Sequence, residues 1–530
     1  MANIVLNIIL GSICVAITYI VLKIYWKLQY WNRRDFHQID PHFIYGNLKP
    51  YIRRNIDFGA MLRNYYNESN GRRCVGLYMF YKPALLLRDP NLIRTFLFND
   101  FDSFSTRKIF AEKEKCPLLD NLYQHSGDQW KKKRDLLAKA FTLKNISELY
   151  DTIIVVSALE DYLDALAEKA ENSICINRLM ERQLYNVMAW VIFGVHIETI
   201  AYSEDNFRMT GLEVFRPKFV DKLALIRDVA VPAEWEWLHN WLNFRRHSKR
   251  IEDFYNSLTK HVLDRREYHK KEWNANKDYM QYLMKIRNRG FLYDDEELKN
   301  IEANAGAHKY LSLPEVSSLA FLAFTSGFPT ILSTIDFFLL EIAKNHTIQN
   351  RISVEVEAMF ESTDGNPEYK DIAHMKYLDA CVNETFRKYP PISHLVRYCT
   401  KDYLMKKENF LIHKGMPVFI SILGIHHDPT YYPDPMEFDP ERFTAEESRK
   451  RPAITFIPFG FGPKNCLGIE LAKAILKIHL VFLVSKYKVS VAPRMRNRNI
   501  NFDNGHMNEV NQIHLSFAER MRNSPSEEDD

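Results

Sequence analysis

Cys466 is the residue of this sequence whose setting best suits metal chemistry. It lies in a glycine- and proline-rich segment, residues 459–468, whose composition predicts a tight, irregular loop. The apolar run 469–484 follows with helical periodicity, so we expect Cys466 just before a helix begins. The free N–H groups and positive dipole end of a helix N-terminus favour a thiolate, which binds soft and borderline metals. A buried, inert cysteine beside a turn is the alternative.

The spacing around Cys466 argues against two other common sites. A dinucleotide-binding GxGxxG pattern starting at Gly460 would need glycine where the chain has Asn465, and no GxxxxGK[ST] phosphate loop occurs. The seven cysteines lack the paired spacing of a zinc site. One thiolate without partner ligands suits haem, because the porphyrin supplies four equatorial bonds and leaves an axial position for the protein.

Four residues of this loop match the FxxGxxxCxG signature of the cytochromes P450: Phe459, Gly462, Cys466 and Gly468. The chain resembles that family in two further places, because residues 384–387 read ExxR, as in the family's K helix, and residues 440–443 read PERF. The resemblance implies that Glu384, Arg387 and Arg442 form a buried ion network that locks the core around the haem. Glu and Arg three residues apart share a helix face, and the planar guanidinium matches a carboxylate.

The same resemblance implies which residues hold a haem b. Cys466 is its axial ligand, and Phe459 belongs to the loop around it. Trp130 and Arg134 resemble the WxxxR motif of the family's C helix. Cationic side chains suit this task, because haem brings two carboxylates into a mostly apolar slot.

Two further cations belong to this expected haem site. Arg397 lies seven residues past Pro390, where the family places a contact to a haem propionate. Lys464 is a departure, since the family usually has Arg or His at that position. Lysine keeps the positive charge but loses the bidentate geometry.

A long helix is expected to begin beyond Leu313 and to run to about Lys344. In the resembling family this helix crosses the haem and carries an acid followed by a threonine, which relay protons during oxygen activation. Here Pro329 stands in the acid's position, while Thr330 is retained as the expected catalytic residue. Proline lacks an N–H, so we expect a kink and a free carbonyl at Thr325.

The resemblance also implies a substrate pocket and a docking surface. Residues 101–127 correspond to the loop that covers the substrate in this family, although an ordinary surface loop is the alternative. The expected pocket residues are Arg107, Ile109, Phe110, Leu118, Ser326 and Phe328. Lys131, Lys132 and Lys133 would lie on the haem's proximal side, where the family docks an acidic electron donor, unless they are merely a solvated face.

Composition and the N-terminal stretch narrow the class of protein. The chain has 530 residues, of which 46% are hydrophobic, enough for a large core around an apolar cofactor, and its net charge of +4 is too small to imply nucleic acid. Residues 2–22 carry no charge and are long enough to span a bilayer. A cleaved signal peptide is the alternative, but no basic region precedes the stretch. The basic and aromatic residues that follow indicate a cytosolic body.

We therefore expect the mainly α cytochrome P450 fold with a minor β region, preceded by one transmembrane helix. The expected divisions are an anchor at 1–25, a basic and aromatic flank with a short hinge at 26–46, the catalytic domain at 47–523 and an acidic disordered tail at 524–530. Strands are expected within 73–89 and 398–419.

The sequence most resembles the microsomal, detoxification-type P450s of insects. This resemblance implies mono-oxygenation of small lipophilic substrates at the endoplasmic reticulum membrane, with electrons from NADPH through NADPH–cytochrome P450 reductase and cytochrome b5 as a second candidate donor. Two alternatives stay open at this point. One is a haem-thiolate isomerase or dehydratase that needs no reductase, and the other is a non-catalytic haem- or lipid-binding relative.

Overall fold

The chain folds mainly into helices. The computed structural model describes residues 2–53, 56–107, 116–153, 163, 173–216, 218–231, 236–242, 246–269, 277–289, 310–495 and 512–520. The helices in these stretches are α1 (Ala2–Leu28), α2 (Lys49–Arg53), α3 (Phe58–Glu68), α4 (Pro90–Arg94), α5 (Gly127–Ala138), α6 (Leu143–Ser147), α7 (Tyr150–Ile153), α8 (Ile176–Met188), α9 (Asn206–Phe215), α10 (Phe219–Ala230), α11 (Glu236–Trp241), α12 (Lys249–Tyr268), α13 (Tyr279–Arg289), α14 (Leu313–Lys344), α15 (His346–Ser362), α16 (Tyr369–Ala373), α17 (Lys376–Lys388), α18 (Ile422–His426), α19 (Ala445–Arg449) and α20 (Ile469–Lys486). The expected acidic tail at 524–530 lies outside the described residues.

Three small sheets accompany the helices. Their strands are β1 (Cys74–Met79), β2 (Lys82–Leu87), β3 (Ile174–Cys175), β4 (His394–Tyr398), β5 (Tyr403–Met405), β6 (Phe410–Ile412), β7 (Pro417–Ser421), β8 (Tyr487–Val491) and β9 (His514–Glu519). The largest sheet has the order β1-β2-β7-β4, in which β2 and β7 are parallel and the other pairs antiparallel. This arrangement confirms the predicted mainly α fold with a minor β region.

Helix α14 runs through the centre of the larger hydrophobic core. Ser312 caps its N-terminus in a reciprocal arrangement with Glu315, and the helix ends at Lys344 before Asn345, as the sequence predicts. Most of its side chains from Ile331 to Ala343 are buried against neighbouring helices. The helix continues through Pro329, which therefore does not end it, although proline leaves the carbonyl of Thr325 without its usual donor.

The N-terminal helix α1 is set apart from this core. Its side chains from Ile4 to Leu22 are exposed, and the segment Ile4–Leu28, with a mean hydropathy of 2.5, is long and apolar enough to cross a membrane. Helix α14 is also long and apolar enough to cross a membrane, but 56% of its most apolar stretch is buried inside the protein. Its burial identifies α14 as a core helix.

The segment after α1 packs directly onto the main sheet. Trp31, one of the aromatic residues of the flank expected at 26–46, is fully buried, and its indole Nε1 donates to the carbonyl oxygen of Leu77 at 3.1 Å. The ring lies over Gly76, where a Cβ atom would overlap it, and stacks on Phe410 with ring centroids 5.0 Å apart. Part of the expected flank and hinge thus contributes to the core around the sheet.

Candidate active site

A cavity of about 350 Å³ lies between helix α14, strand β4 and the loop that carries Cys466. Its walls combine side chains that are distant in sequence, from Arg107 in the N-terminal half to Leu476 in α20. Cys466, Thr330 and Arg397 all line it. The structure therefore brings the sequence-predicted ligand, the helix threonine and a predicted propionate contact to one cavity.

The backbone around Cys466 forms the irregular loop that the glycines predict. Gly460 and Gly462 have φ values of 76° and 75°, in the left-handed region that favours glycine. A Cβ atom at Gly462 would also overlap the carbonyl oxygen of Leu97. The Cys466 N–H donates to the carbonyl oxygen of Phe459 at 2.9 Å, which closes the loop three residues before α20 begins.

The electrostatic setting of Cys466 suits a thiol that becomes a metal ligand. Burial raises the pKa of Cys466 above its usual value, although the Gly468 N–H and the positive charges of Arg107 and Arg134 lower it. The loop-to-helix position alone therefore does not produce a thiolate. A metal cation coordinated by Cys466 would supply the missing stabilisation, because a coordinated thiol is deprotonated. Within the described residues no group of three or more Cys, His, Asp or Glu side chains surrounds a metal position.

Four cationic side chains line the same cavity, namely Arg107, Arg134, Arg397 and Lys464. The described lining contains no carboxylate. The Arg107 Nη2 donates to the Lys464 carbonyl oxygen, and the Arg134 Nη1 donates to that of Asn465 at 2.9 Å. Burial, together with the positive charge of Arg107, lowers the pKa of Arg397 to about 9. Arg397 and Lys464 are buried and Arg107 and Arg134 are partly buried, and buried cations without a carboxylate nearby call for an anionic partner.

Arg397 and Lys464 show that this anionic partner must supply hydrogen-bond acceptors and negative charge. The buried Arg397 Nε has no hydrogen-bond partner among the residues that the structure describes. Lys464 donates to the His125 carbonyl oxygen at 3.0 Å and lies 4.8 Å from the centre of the Trp130 ring. Burial and the nearby arginines lower the pKa of Lys464 to about 7. A group with two carboxylates, such as haem, fits these free donors and unbalanced charges.

The predicted ion network is assembled beneath the cavity. Glu384 and Arg387 are fully buried on α17, and the Arg387 Nε and Nη2 donate to the two carboxylate oxygens at 2.6 and 2.8 Å. The Arg442 Nε lies 3.6 Å from the nearer Glu384 oxygen. Burial still raises the pKa of Glu384 despite these partners. Phe386, on the same helix, packs on Phe459 and lines the cavity.

Helix α14 presents a narrow stripe of side chains to the cavity, spaced three or four residues apart: Leu319, Leu322, Ala323, Ser326, Gly327, Thr330 and Ile331. The Thr330 hydroxyl donates to the carbonyl oxygens of Ser326 at 2.9 Å and Gly327 at 3.0 Å. Pro329 and Thr325 do not line the cavity. The freed carbonyl of Thr325 is therefore off the stripe that carries Thr330.

The expected pocket residues divide into three groups. Arg107 and Ser326 line the cavity. Leu118 and Phe328 are buried elsewhere in the core, and Phe328 stacks on Phe215 with ring centroids 5.0 Å apart, because the helix turns its side chain away from the stripe. Ile109 and Phe110 lie outside the described residues. The sequence reasoning missed other wall residues, namely Leu122, Tyr123, Met188, Ile192, Ile392 and Leu395.

The three lysines of α5 differ in their surroundings. Lys131 and Lys132 are exposed, whereas Lys133 is partly buried and its ammonium lies 2.7 Å from a Glu315 carboxylate oxygen. Lys133 therefore links α5 to α14. Of these three lysines, Lys131 and Lys132 are the two whose charge is available to a partner at this surface.

Sequence comparisons identify relatives of the same length and class. Residues 37–517 match the family described as Cytochrome P450. The chain is 31% identical over 498 residues to Cytochrome P450 6a8 of Drosophila melanogaster, covering 93% of this chain and 95% of that protein. It is 30% identical over 472 residues to Cytochrome P450 6k1 of Blattella germanica, covering 87% of each.

Proposed function

Because the chain belongs to the cytochrome P450 family and is a haem-thiolate mono-oxygenase, we propose that it inserts one oxygen atom into small lipophilic substrates with electrons derived from NADPH. The observation that carries this proposal is the cavity that joins Cys466 and four cationic side chains, two of them buried, to apolar walls. When bound, haem supplies the dioxygen chemistry. The protein's own residues hold it, shape the substrate space and exclude water.

The residues proposed to hold the haem follow from the geometry of the cavity. We assign Cys466 as the axial ligand, Trp130 and Phe459 as packing contacts, and the cations Arg134, Arg397 and Lys464 as carboxylate contacts. Arg107 joins this set, because its guanidinium lies beside Lys464 and Tyr123 rather than among the apolar walls. Glu384, Arg387 and Arg442 hold the underlying core in place.

The apolar part of the cavity supports the proposed substrate class. Leu122, Met188, Ile192, Leu322 and Leu395 give walls that favour molecules of low polarity. The apolar helix α1 would place this cavity near a bilayer, which concentrates such molecules. We propose a single-pass protein of the endoplasmic reticulum membrane with a cytosolic catalytic body at 47–523.

We propose that NADPH–cytochrome P450 reductase delivers the electrons, with cytochrome b5 as a second candidate donor. Lys131 and Lys132 are proposed to help dock the reductase. Replacing both by alanine should slow reduction of the haem severalfold at low salt, because exposed charges act mainly on association rate and are screened by salt. Stopped-flow reduction at two ionic strengths measures the effect.

A matched control removes the same charge elsewhere. Lys406 and Lys407 are exposed in the turn between β5 and β6, and their double replacement by alanine should leave the reduction rate unchanged. If both double variants were reduced at the wild-type rate with the wild-type salt dependence, Lys131 and Lys132 would be a solvated face only.

Thr330 is proposed to support oxygen activation by accepting a hydrogen bond from water in the cavity, since its own proton is given to α14. Thr330→Ala should lower the product formed per NADPH severalfold and raise peroxide release, whereas Thr330→Ser should restore most of the coupling. Thr325→Ala is the control, because the Thr325 hydroxyl donates to the Phe321 carbonyl oxygen away from the cavity. Equal coupling in all three variants and the wild type would remove Thr330 from the mechanism.

A further inference from the structure

Ser326 differs from the other hydroxyl residue on the cavity face of α14. The Thr330 hydroxyl donates its one proton to the helix backbone. Ser326 is exposed to the cavity, and its hydroxyl makes no hydrogen bond to any residue that the structure describes. Serine can bond to the carbonyl four residues earlier, as Thr325 does to Phe321, but Ser326 does not. Ser326 therefore presents a free donor to the cavity.

The other polar side chains that line the cavity lie on the side assigned to the haem or have a hydrogen-bond partner of their own. The Tyr123 and Trp130 rings lie beside the cations, with ring centres 4.8 Å from Arg107 and from Lys464 respectively. The cations Arg107, Arg134, Arg397 and Lys464 form the side that is assigned to the two haem carboxylates. Asn465 accepts a hydrogen bond from Arg134. His394, on β4, shares a contact of 3.1 Å between its Nδ1 and the Ser393 hydroxyl, and burial lowers its pKa to about 4, so it is neutral at physiological pH.

The residues that flank Ser326 on the stripe are apolar. Leu322, Ala323, Gly327 and Ile331 surround it along α14. A hydroxyl in such surroundings gains more from a ligand acceptor than it would in water, because the local dielectric constant is low. A few placed polar groups in a mostly apolar pocket usually fix the orientation of a ligand.

We propose that Ser326 is a specificity-determining residue, whose hydroxyl donates a hydrogen bond to an acceptor oxygen of the substrate, as in a lipophilic ether, ester or ketone. This inference rests on the proposed function and names the substrate class within it. Side chains four residues apart on a helix have Cβ atoms about 5–6 Å apart. An acceptor bound by Ser326 thus holds the carbons next to it beside Thr330, and these carbons are the expected positions of oxidation.

The test uses two ligands of nearly equal shape, benzyl phenyl ether and bibenzyl, in which an ether oxygen replaces a methylene group. Both are titrated into the full-length, haem-loaded protein, and binding is measured by the shift of the haem absorption band and by equilibrium dialysis, neither of which needs turnover. The ratio of the two Kd values in the wild type is the reference. Ser326→Ala should shift this ratio about fivefold towards bibenzyl, which corresponds to about 1 kcal/mol.

Two further variants separate a hydrogen bond from a change of packing. Ser326→Thr keeps a hydroxyl group, but Thr325 and Thr330 both donate theirs to the helix backbone, so this variant should move the ratio towards bibenzyl as Ser326→Ala does. Threonine is larger than serine and alanine is smaller, so a shift in the same direction in both variants indicates a lost donor and not a change of packing. Adding Ala323→Ser to Ser326→Ala returns a hydroxyl one turn earlier on the same stripe, so the ether preference should return at least in part, with oxidation moved to different carbons.

The possible outcomes distinguish this inference from the proposed function. If Ser326→Ala left the ratio unchanged, or if His394→Leu produced the shift instead, Ser326 would not select the substrate. If the wild type bound neither ligand, both the Ser326 inference and the proposed lipophilic substrate class would fail. Equal binding of both ligands by the wild type would overturn the Ser326 inference alone.

Discussion

Replacing Cys466 by serine should abolish both mono-oxygenation and the red-shifted absorption of the reduced carbon monoxide complex. The loop holds this sulfur at the cavity wall, between the Phe459 carbonyl and the start of α20. A serine oxygen fits the same backbone but does not donate electron density as a thiolate does. The measurement is the absorption spectrum of the purified variant, reduced and saturated with carbon monoxide.

A second cysteine provides the control for this prediction. Cys175 lies on β3, outside the cavity lining, and its replacement by serine should leave the band and the activity unchanged. Near-wild-type helix content by circular dichroism would show that Cys466→Ser has folded. A thiolate-type band in the folded Cys466→Ser protein would contradict the assignment.

Replacing Arg387 by methionine should have the largest expected effect on stability. The change leaves the Glu384 carboxylate fully buried with only the more distant Arg442 as a charged partner among the described residues. Breaking a buried ion pair by removing one partner costs about 3–5 kcal/mol, a large part of the roughly 5–15 kcal/mol that a typical domain has. We expect lower free energy of unfolding and little haem incorporation, measured by chemical denaturation and by the haem-to-protein ratio.

Two other variants test the reason for this loss. Burial raises the pKa of Glu384 even with its partners present. The free-energy cost of removing this carboxylate from water is therefore larger than the stabilisation that its partners provide. Leaving the charge unpaired should destabilise the fold further. Glu384→Gln combined with Arg387→Met should therefore recover part of the lost stability. Lys370→Ala breaks an exposed pair with Glu368 and should leave the free energy of unfolding nearly unchanged, because water and salt screen such a pair. Similar losses in the Lys370 and Arg387 variants would contradict the account.

Local sequence patterns predicted the elements that carry the motifs. The glycines at 460 and 462 predicted the loop before α20, and both adopt positive φ. The apolar run after Leu313 predicted a helix to about Lys344, where α14 ends, because periodicity is a local signal. The order of the ExxR and PERF segments predicted that Glu384, Arg387 and Arg442 meet, which depends on the family resemblance and not on spacing alone.

Contacts between distant segments could not be read from the sequence in the same way. Met188 and Ile192 reach the cavity only because α8 and the turn after it pack against α14, and nothing in their own segment indicates this. The pairing of Lys133 with Glu315 joins residues 182 positions apart. Phe328 could have been excluded from the pocket, since it is out of phase with the stripe at 319, 322, 326 and 330.

The most direct test of the central claim is oxidation of a lipophilic substrate under isotopically labelled dioxygen, with the full-length protein, NADPH and NADPH–cytochrome P450 reductase. The substrate is chosen by its shift of the haem band, and mass spectrometry follows the product. A mono-oxygenase must place one labelled oxygen atom in the product and the other in water, and must require both NADPH and reductase. Unlabelled product would contradict the account. So would a protein that turns over a hydroperoxide without reductase but does not oxidise the substrate with dioxygen. Either result would favour a rearranging haem-thiolate enzyme.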